Sequence, residues 1–190
     1  MNKYLSVNYL TKNFQATLKE YSGTYNLSKL FSHPKARDLK ETFQIIALMT
    51  GIQKITNKIW YGRLIRNDPP DFEAMTYDLD ENGKECELSA DIENIKIPNI
   101  VHNQTNNFSE EGIAEFVYRK KPPHKLGSET ILGIYAEFDK KDLNFPKLSE
   151  EIKKRYKSNN EIWIYGRISG KFWFITKLNP NYKLPIIYKP

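Results

Sequence analysis

Apolar positions change their spacing several times along this chain, and each change marks an element. Over residues 34–50, Leu39, Phe43, Ile46 and Met49 recur every three or four positions, which puts them on one face of a helix. Ser32 can cap that helix, Pro34 falls in its first turn where a missing N–H costs nothing, and Gly51 is the expected stop. Residues 1–31 are rich in Tyr, Leu, Asn and Lys without a clear period, and are compatible with a helix.

Beyond residue 57 the pattern becomes that of strands. Residues 58–66 are rich in β-formers and stop at Asn67-Asp68-Pro69-Pro70. Runs 71–79 and 84–92 follow, separated by Asp80-Glu81-Asn82-Gly83. Asn-Gly between two such runs predicts a hairpin. A short run over 95–101 is interrupted by Pro98, and 103–108 reads as a polar loop. Ser109 caps a second helix, with Glu110 and Glu111 early and Arg119, Lys120 and Lys121 late, the sense that complements the helix dipole. Pro122-Pro123 ends it. Residues 129–138 read as a buried strand, 146–157 as a lysine-rich helix, and 161–169 with 171–178 as an aromatic hairpin about Gly170. The order of helix, three strands, helix, strand, helix and hairpin predicts an α/β domain, a central mixed β-sheet flanked by helices.

At roughly 150 residues per domain, 190 residues predict a single domain. Residues 1–33 would form an N-terminal extension, 34–138 a core, and 139–190 a C-terminal helix and aromatic hairpin. A single cysteine, Cys86, excludes an internal disulfide, and with three scattered histidines it excludes a structural zinc cage. No run approaches the ~20 apolar residues that cross a bilayer, and the first residues show no apolar signal region. A cytoplasmic protein without a membrane partner is expected.

Charge changes this picture more than composition does. Residues 1–70 hold 11 basic and 4 acidic side chains, 71–115 hold 2 and 12, and 116–190 hold 16 and 7. The net +6 is thus an acidic middle between two basic arms. That suits a carboxylate cluster with a metal, set in a surface that attracts a polyanion. It also suits a solvated acidic loop region within a lysine-rich surface.

The acidic block contains Asn67-Asp68-Pro69-Pro70-Asp71-Phe72, a hairpin, and Glu85-Cys86-Glu87-Leu88-Ser89. This resembles the PD-(D/E)xK nuclease-like (restriction-endonuclease-like) superfamily, whose core runs α-β-β-β-α-β. In that family an Asp after a Pro opens one strand, a Glu-x-Lys lies on the next, and metal sits between the acids. Pro70-Asp71 matches the first half of the motif, and Glu87-Leu88-Ser89 matches the second except that Ser89 stands at the lysine position. The resemblance covers residues 34–138 in element order. It implies a metal-dependent DNA endonuclease, restriction-like or phage-encoded, with Asp71 and Glu87 on Mg2+. Lys84, Lys120 or Lys121 could replace the missing lysine, and Glu41 could add an acid.

The physical requirement stands beside the resemblance. Phosphodiester hydrolysis needs charge stabilisation and an activated water, which one or two Mg2+ ions supply. Mg2+ takes one or two carboxylates and keeps several waters. Loop length decides whether Asp71 and Glu87 can cooperate. A two-residue Asn82-Gly83 loop points them to opposite faces, whereas a three-residue loop sets Tyr77 against Glu87 and Met75 against Ser89, on one face with Asp71.

Candidate phosphate contacts, and hence double-stranded DNA as partner, are Arg63, Arg119, Lys120, Lys121, Lys125, Lys153, Lys154 and Arg155. The stretch Asn57-Lys58-Ile59-Trp60-Tyr61-Gly62-Arg63-Leu64 is echoed by Asn160-Glu161-Ile162-Trp163-Ile164-Tyr165-Gly166-Arg167-Ile168, either as phosphate-binding Arg63 and Arg167 beside stacking aromatics or as two ordinary strands. A homodimer would suit cutting both strands. The competing functional reading is a catalytically inactive nuclease-fold protein that binds nucleic acid or protein as an adaptor or inhibitor, with Ser89 marking lost chemistry.

Overall fold

The structure, a computed structural model, describes residues 4–22, 37–65, 70–97, 109–136, 143–156, 160–169 and 172–189. The expected Ser32 cap, Pro34, the Asn67–Pro69 breaker, Pro98, the 103–108 loop and Gly170 lie outside these residues. The described elements are β1 (Leu5–Ser6), α1 (Val7–Ser22), α2 (Arg37–Thr56), β2 (Trp60–Leu64), β3 (Phe72–Leu79), β4 (Glu85–Ile97), α3 (Glu110–Lys120), β5 (Thr130–Ala136), α4 (Phe145–Arg155), β6 (Glu161–Ser169), β7 (Phe172–Asn179) and β8 (Ile186–Tyr188). All eight strands form one sheet in sequence order. β4, β5 and β6 are parallel, and every other neighbouring pair is antiparallel.

Side-chain alternation sends each strand's residues to two different cores. Phe72, Ala74, Ile92, Ile131, Tyr165 and Trp173 pack with Ile45, Leu48, Met49 and Ile52 of α2 and Val7 of α1. Ile95, Ile97, Leu132, Ile134, Ile162 and Ile164 pack on the other face with Ile113 and Val117 of α3 and Leu148 and Ile152 of α4. The sheet is therefore a middle layer between two helix pairs. A fully buried Phe72 alone contributes about 2–3 kcal/mol of burial.

The N-terminal segment is built into the domain. Leu5 pairs with Gly62 of β2, and Phe14 of α1 stacks on Phe43 of α2 with centroids 5.3 Å apart. Helix α2 also departs from expectation, because it runs through Gly51 and ends at Thr56. Asn57 follows at φ 54°, the left-handed conformation that closes a helix. Gly51 serves packing instead, since a Cβ there would lie 2.7 Å from Ile175 Cδ1 and 3.0 Å from Tyr188 Cζ.

Strand β4 is the larger departure. It continues past Ile92 to Ile97, so the run over 84–92 and the start of the run over 95–101 belong to a single strand. Pairing to β5 from Asp91 to Ile97 extends it, a tertiary effect that overrides the local polar pattern. Among the described residues no helix is long and apolar enough to cross a membrane.

Candidate active site

The turn between β3 and β4 sets the register on which the site depends. Asp80 N–H donates to Lys84 O at 2.8 Å, Gly83 N–H donates to Asp80 O at 2.9 Å, and Gly83 has φ 75°. This is the three-residue loop, with glycine at the position that requires left-handed backbone. Tyr77 accordingly pairs with Glu87 and Met75 with Ser89. Asp71, Glu87 and Ser89 do share a face.

They do not share a site. The pairing of β3 with β4 ends at Phe72 and Ile92, and one further step of that register sets Asp71 towards Glu93. Glu87 lies six positions from Glu93 along the strand, about 20 Å away at ~3.3 Å per residue. Glu87 and Ser89 are exposed on the projecting end of the hairpin, and Lys84 is exposed at its turn, where its N–H donates to Asp80 Oδ1 at 2.8 Å. The structure thus separates Glu87, Ser89 and Lys84 from Asp71 and brings Glu93 to it.

Four groups meet at this point: the carboxylates of Asp71 and Glu93, the Asn94 N–H and the Lys121 ammonium. Asp71 Oδ2 accepts a 2.8 Å hydrogen bond from the Asn94 N–H. Glu93, whose side chain is only 12% exposed, pairs with the ammonium of Lys121 at the end of α3. Glu93 Oε2 is buried without an aligned hydrogen-bond donor, so its compensation is that charge. Loss of water around the Asp71 carboxyl pushes its pKa up, against the Asn94 N–H and Lys121, which lower it; Glu93 and Glu41 raise it further. The residue as a whole opens to solvent, so the carboxyl is both partly dehydrated and reachable. Such shifts arise in functional sites and in structural networks of charge alike.

The next rung repeats the arrangement. Glu73 pairs with Asp91, and like charges directly opposite in a sheet are destabilising. Arg63 Nε donates to Glu73 Oε2 at 2.5 Å, and the Tyr4 hydroxyl donates to the same oxygen at 2.9 Å. Asp91 has its pKa raised by lost water and by Glu73 and Glu93. Arg63 is therefore committed to a carboxylate. Among the described residues no group of three or more His, Cys, Asp or Glu side chains is arranged to hold a metal ion.

Basic residues gather at one end of the molecule beside this pair. Helices α3 and α4 run side by side: Lys147 meets Glu110 at their starts, 3.1 Å apart, and the Tyr156 hydroxyl donates to Lys121 O at their ends, 2.6 Å. Their last turns carry Arg119 and Lys120, and Lys153, Lys154 and Arg155. Lys120, Lys125 and Lys153 are exposed. Arg119 is also exposed but pairs with Glu115 at 2.8 Å, and Lys154 pairs with Glu151 at 2.5 Å. Arg155 is a structural cation, mostly buried and shared between Glu151 at 3.0 Å and Glu115 at 3.4 Å.

The echo of Tyr-Gly-Arg has a packing explanation. A Cβ on Gly62 would fall 2.0 Å from the Phe72 ring, and one on Gly166 would fall 2.1 Å from Ala136 O and 2.9 Å from the Phe174 ring. Each glycine admits a neighbouring aromatic ring against the strand backbone. Arg167 is exposed.

No protein-family model matches the chain, and no curated protein and no solved structure is significantly similar to it.

Proposed function

We propose that this protein is a metal-dependent endonuclease hydrolysing DNA phosphodiester bonds, with Asp71 and Glu93 as the metal-holding carboxylates and Lys121 in the role of the missing lysine. The observation that carries this reading is Asp71, held by the Asn94 N–H, lying within electrostatic reach of Glu93 and of Lys121, the cation that pairs with Glu93. A second support is the order α2, β2, β3, β4, α3, β5, which is that of the nuclease-like core. In this assignment the lysine comes from a helix end rather than from the strand.

The residues present fit Mg2+. That ion binds through one or two carboxylates and keeps its waters, so a pair without a third acid is sufficient. The carboxylate of Asp71, a residue open to solvent, would be the accessible ligand, beside a Glu93 whose Oε2 is held by the Lys121 ammonium. Bound Mg2+ supplies Lewis acidity toward a phosphoryl oxygen and the attacking water. The chain's own groups do the rest: the Asn94 N–H holds Asp71 in place, Lys121 presents positive charge to the phosphate, and Lys120, Lys125 and Lys153 draw the DNA backbone to the site.

One observation favours the second reading, an inactive nuclease-fold binding module. Two residues after Glu93 stands Ile95, buried in the core, where the family motif has lysine. Plasmid cleavage with Mg2+ or Mn2+ separates the two. Asp71→Ala and Glu93→Ala should reduce cleavage to background, and Glu87→Ala should leave it intact. Cleavage without metal, or cleavage unchanged in the first two variants, overturns the assignment. Salt-sensitive DNA binding without any cleavage establishes the second reading instead.

A further inference from the structure

Directly behind the acid pair lies a hydrogen-bonded chain that the proposed chemistry does not use. Asn94 follows Glu93 in β4, so its side chain projects to the opposite face of the sheet. There Asn94 Oδ1 accepts from the hydroxyl of Tyr165 at 2.9 Å, and Asn94 Nδ2 donates to Gln44 Oε1 at 3.2 Å. Tyr165 is fully buried and Gln44 nearly so. The space is kept open by Gly133, the β5 partner of Asn94. A Cβ there would lie 2.4 Å from Leu48 Cδ2 and 3.3 Å from Asn94 Oδ1. Meanwhile the Asn94 backbone N–H, on its way through the sheet, donates to Asp71.

We infer that Asn94 is a positioning residue, a node whose side chain, fixed by Tyr165 and Gln44, locks the Glu93–Asn94 peptide so that its N–H orients the Asp71 carboxylate. This rests on the reading of Asp71 and Glu93 given above. Tyr165, on β6, fixes Asn94 from across β5. Gln44, on α2, ties to the same node the helix that carries Glu41 three residues earlier, and Glu41 bears electrostatically on Asp71. The three elements that bring acids to the site, α2, β3 and β4, are thereby referenced to one amide side chain. Buried polar groups must be paired, and here the pairing also fixes a geometry.

The test compares Tyr165→Phe and Gln44→Met with Tyr188→Phe. Tyr188 is a control because its buried hydroxyl donates to Ala47 O of α2 at 2.6 Å rather than to Asn94. Two readouts are taken on the full chain: the amide 1H–15N resonance and hydrogen exchange of Asn94, and Mn2+ affinity by titration calorimetry. Tyr165→Phe should speed Asn94 amide exchange about tenfold, the scale of one hydrogen bond, and move its resonance upfield. Gln44→Met should act in the same direction, and both should weaken Mn2+ binding several-fold. Tyr188→Phe should do neither at comparable loss of thermal stability. An unchanged Asn94 amide in Tyr165→Phe, or an equal change in Tyr188→Phe, overturns the inference. If the wild-type protein does not bind Mn2+, the metal reading fails while the amide measurement still decides whether Asn94 is the node.

Discussion

The two halves of β4 occupy different surroundings. From Asp91 onward the strand is paired to β5, and Ile92, Ile95 and Ile97 are buried. Its first half pairs with β3 alone, and its outermost rungs, from Glu85 to Glu87, extend past the end of β2, where Trp60 meets Thr76. There Leu79 is 66% and Leu88 43% exposed, and Glu85, Glu87 and Ser89 face water. One strand is thus both sheet interior and free ribbon, and Glu93 stands just inside the boundary. Inside it, enough water is removed to raise the proton affinity of Asp71 and to make Glu93 depend on Lys121. Outside it, carboxylates are ordinary solvated charges. Position relative to that boundary, more than residue type, separates Glu93 from Glu87.

The widest gap should appear in core truncations. Leu132→Ala, in the wholly buried β5, should cost about 3–4 kcal/mol in urea denaturation. Leu88→Ala on the ribbon should stay within about 0.5 kcal/mol. A comparable loss for both would mean that the ribbon is packed, and the comparison would break.

Next in size is the cation at the boundary. Lys121→Met strands Glu93, and breaking a buried pair costs about 3–5 kcal/mol. Lys121 keeps 27% of its side-chain exposure, so about 2 kcal/mol is expected after solvent screening. Adding Glu93→Gln should restore most of it. A double variant no more stable than the single one would show that charge pairing is not what holds this corner.

The smallest effect concerns the sign of a titration. With its pKa raised, Asp71 holds its proton more tightly in the folded chain than in the unfolded one. Its contribution to stability is therefore full below the ordinary carboxylate range and is lost as pH rises through the folded pKa. Asp71→Asn, neutral throughout, should melt slightly higher than wild type at neutral pH and lose that advantage in acid. Melting curves that coincide at all pH values would remove the case for a dehydrated carboxyl.

Much of this was legible in the amino-acid order. Ser109 caps α3 as expected, its Oγ accepting from Gly112 N at 3.2 Å. The order of elements and the aromatic hairpin agree with expectation, and Asp71 and Lys121 stand among the candidate site residues. Glu93 does not, because Pro98 and the polar stretch Glu93-Asn94 suggest that the strand stops at Ile92. The signal was nevertheless present: with Tyr77 opposite Glu87, counting outward along both strands sets Asp71 towards Glu93. The roles of Gly51 and Asn94 were not legible, since each depends on contacts with β7, β8 or β6 far along the chain. Strand β8 was missed for the same reason; Ile186–Tyr188 is too short to declare itself without β7 beside it.

Sequential strand order has a kinetic corollary. Because every strand lies beside the ones before and after it in the chain, none must be threaded between partners that have already joined. The antiparallel neighbours β2, β3 and β4 can join by local closures. By contrast, β1 must find β2 across α1 and α2, and the parallel pairs must close crossovers through α3 and α4, the slower steps. During synthesis the β3–β4 hairpin, which sets Asp71 towards Glu93, emerges before Lys121 does. The nascent acid pair is left uncompensated until α3 arrives to seat its ammonium, so completion of the site should coincide with the docking of that helix.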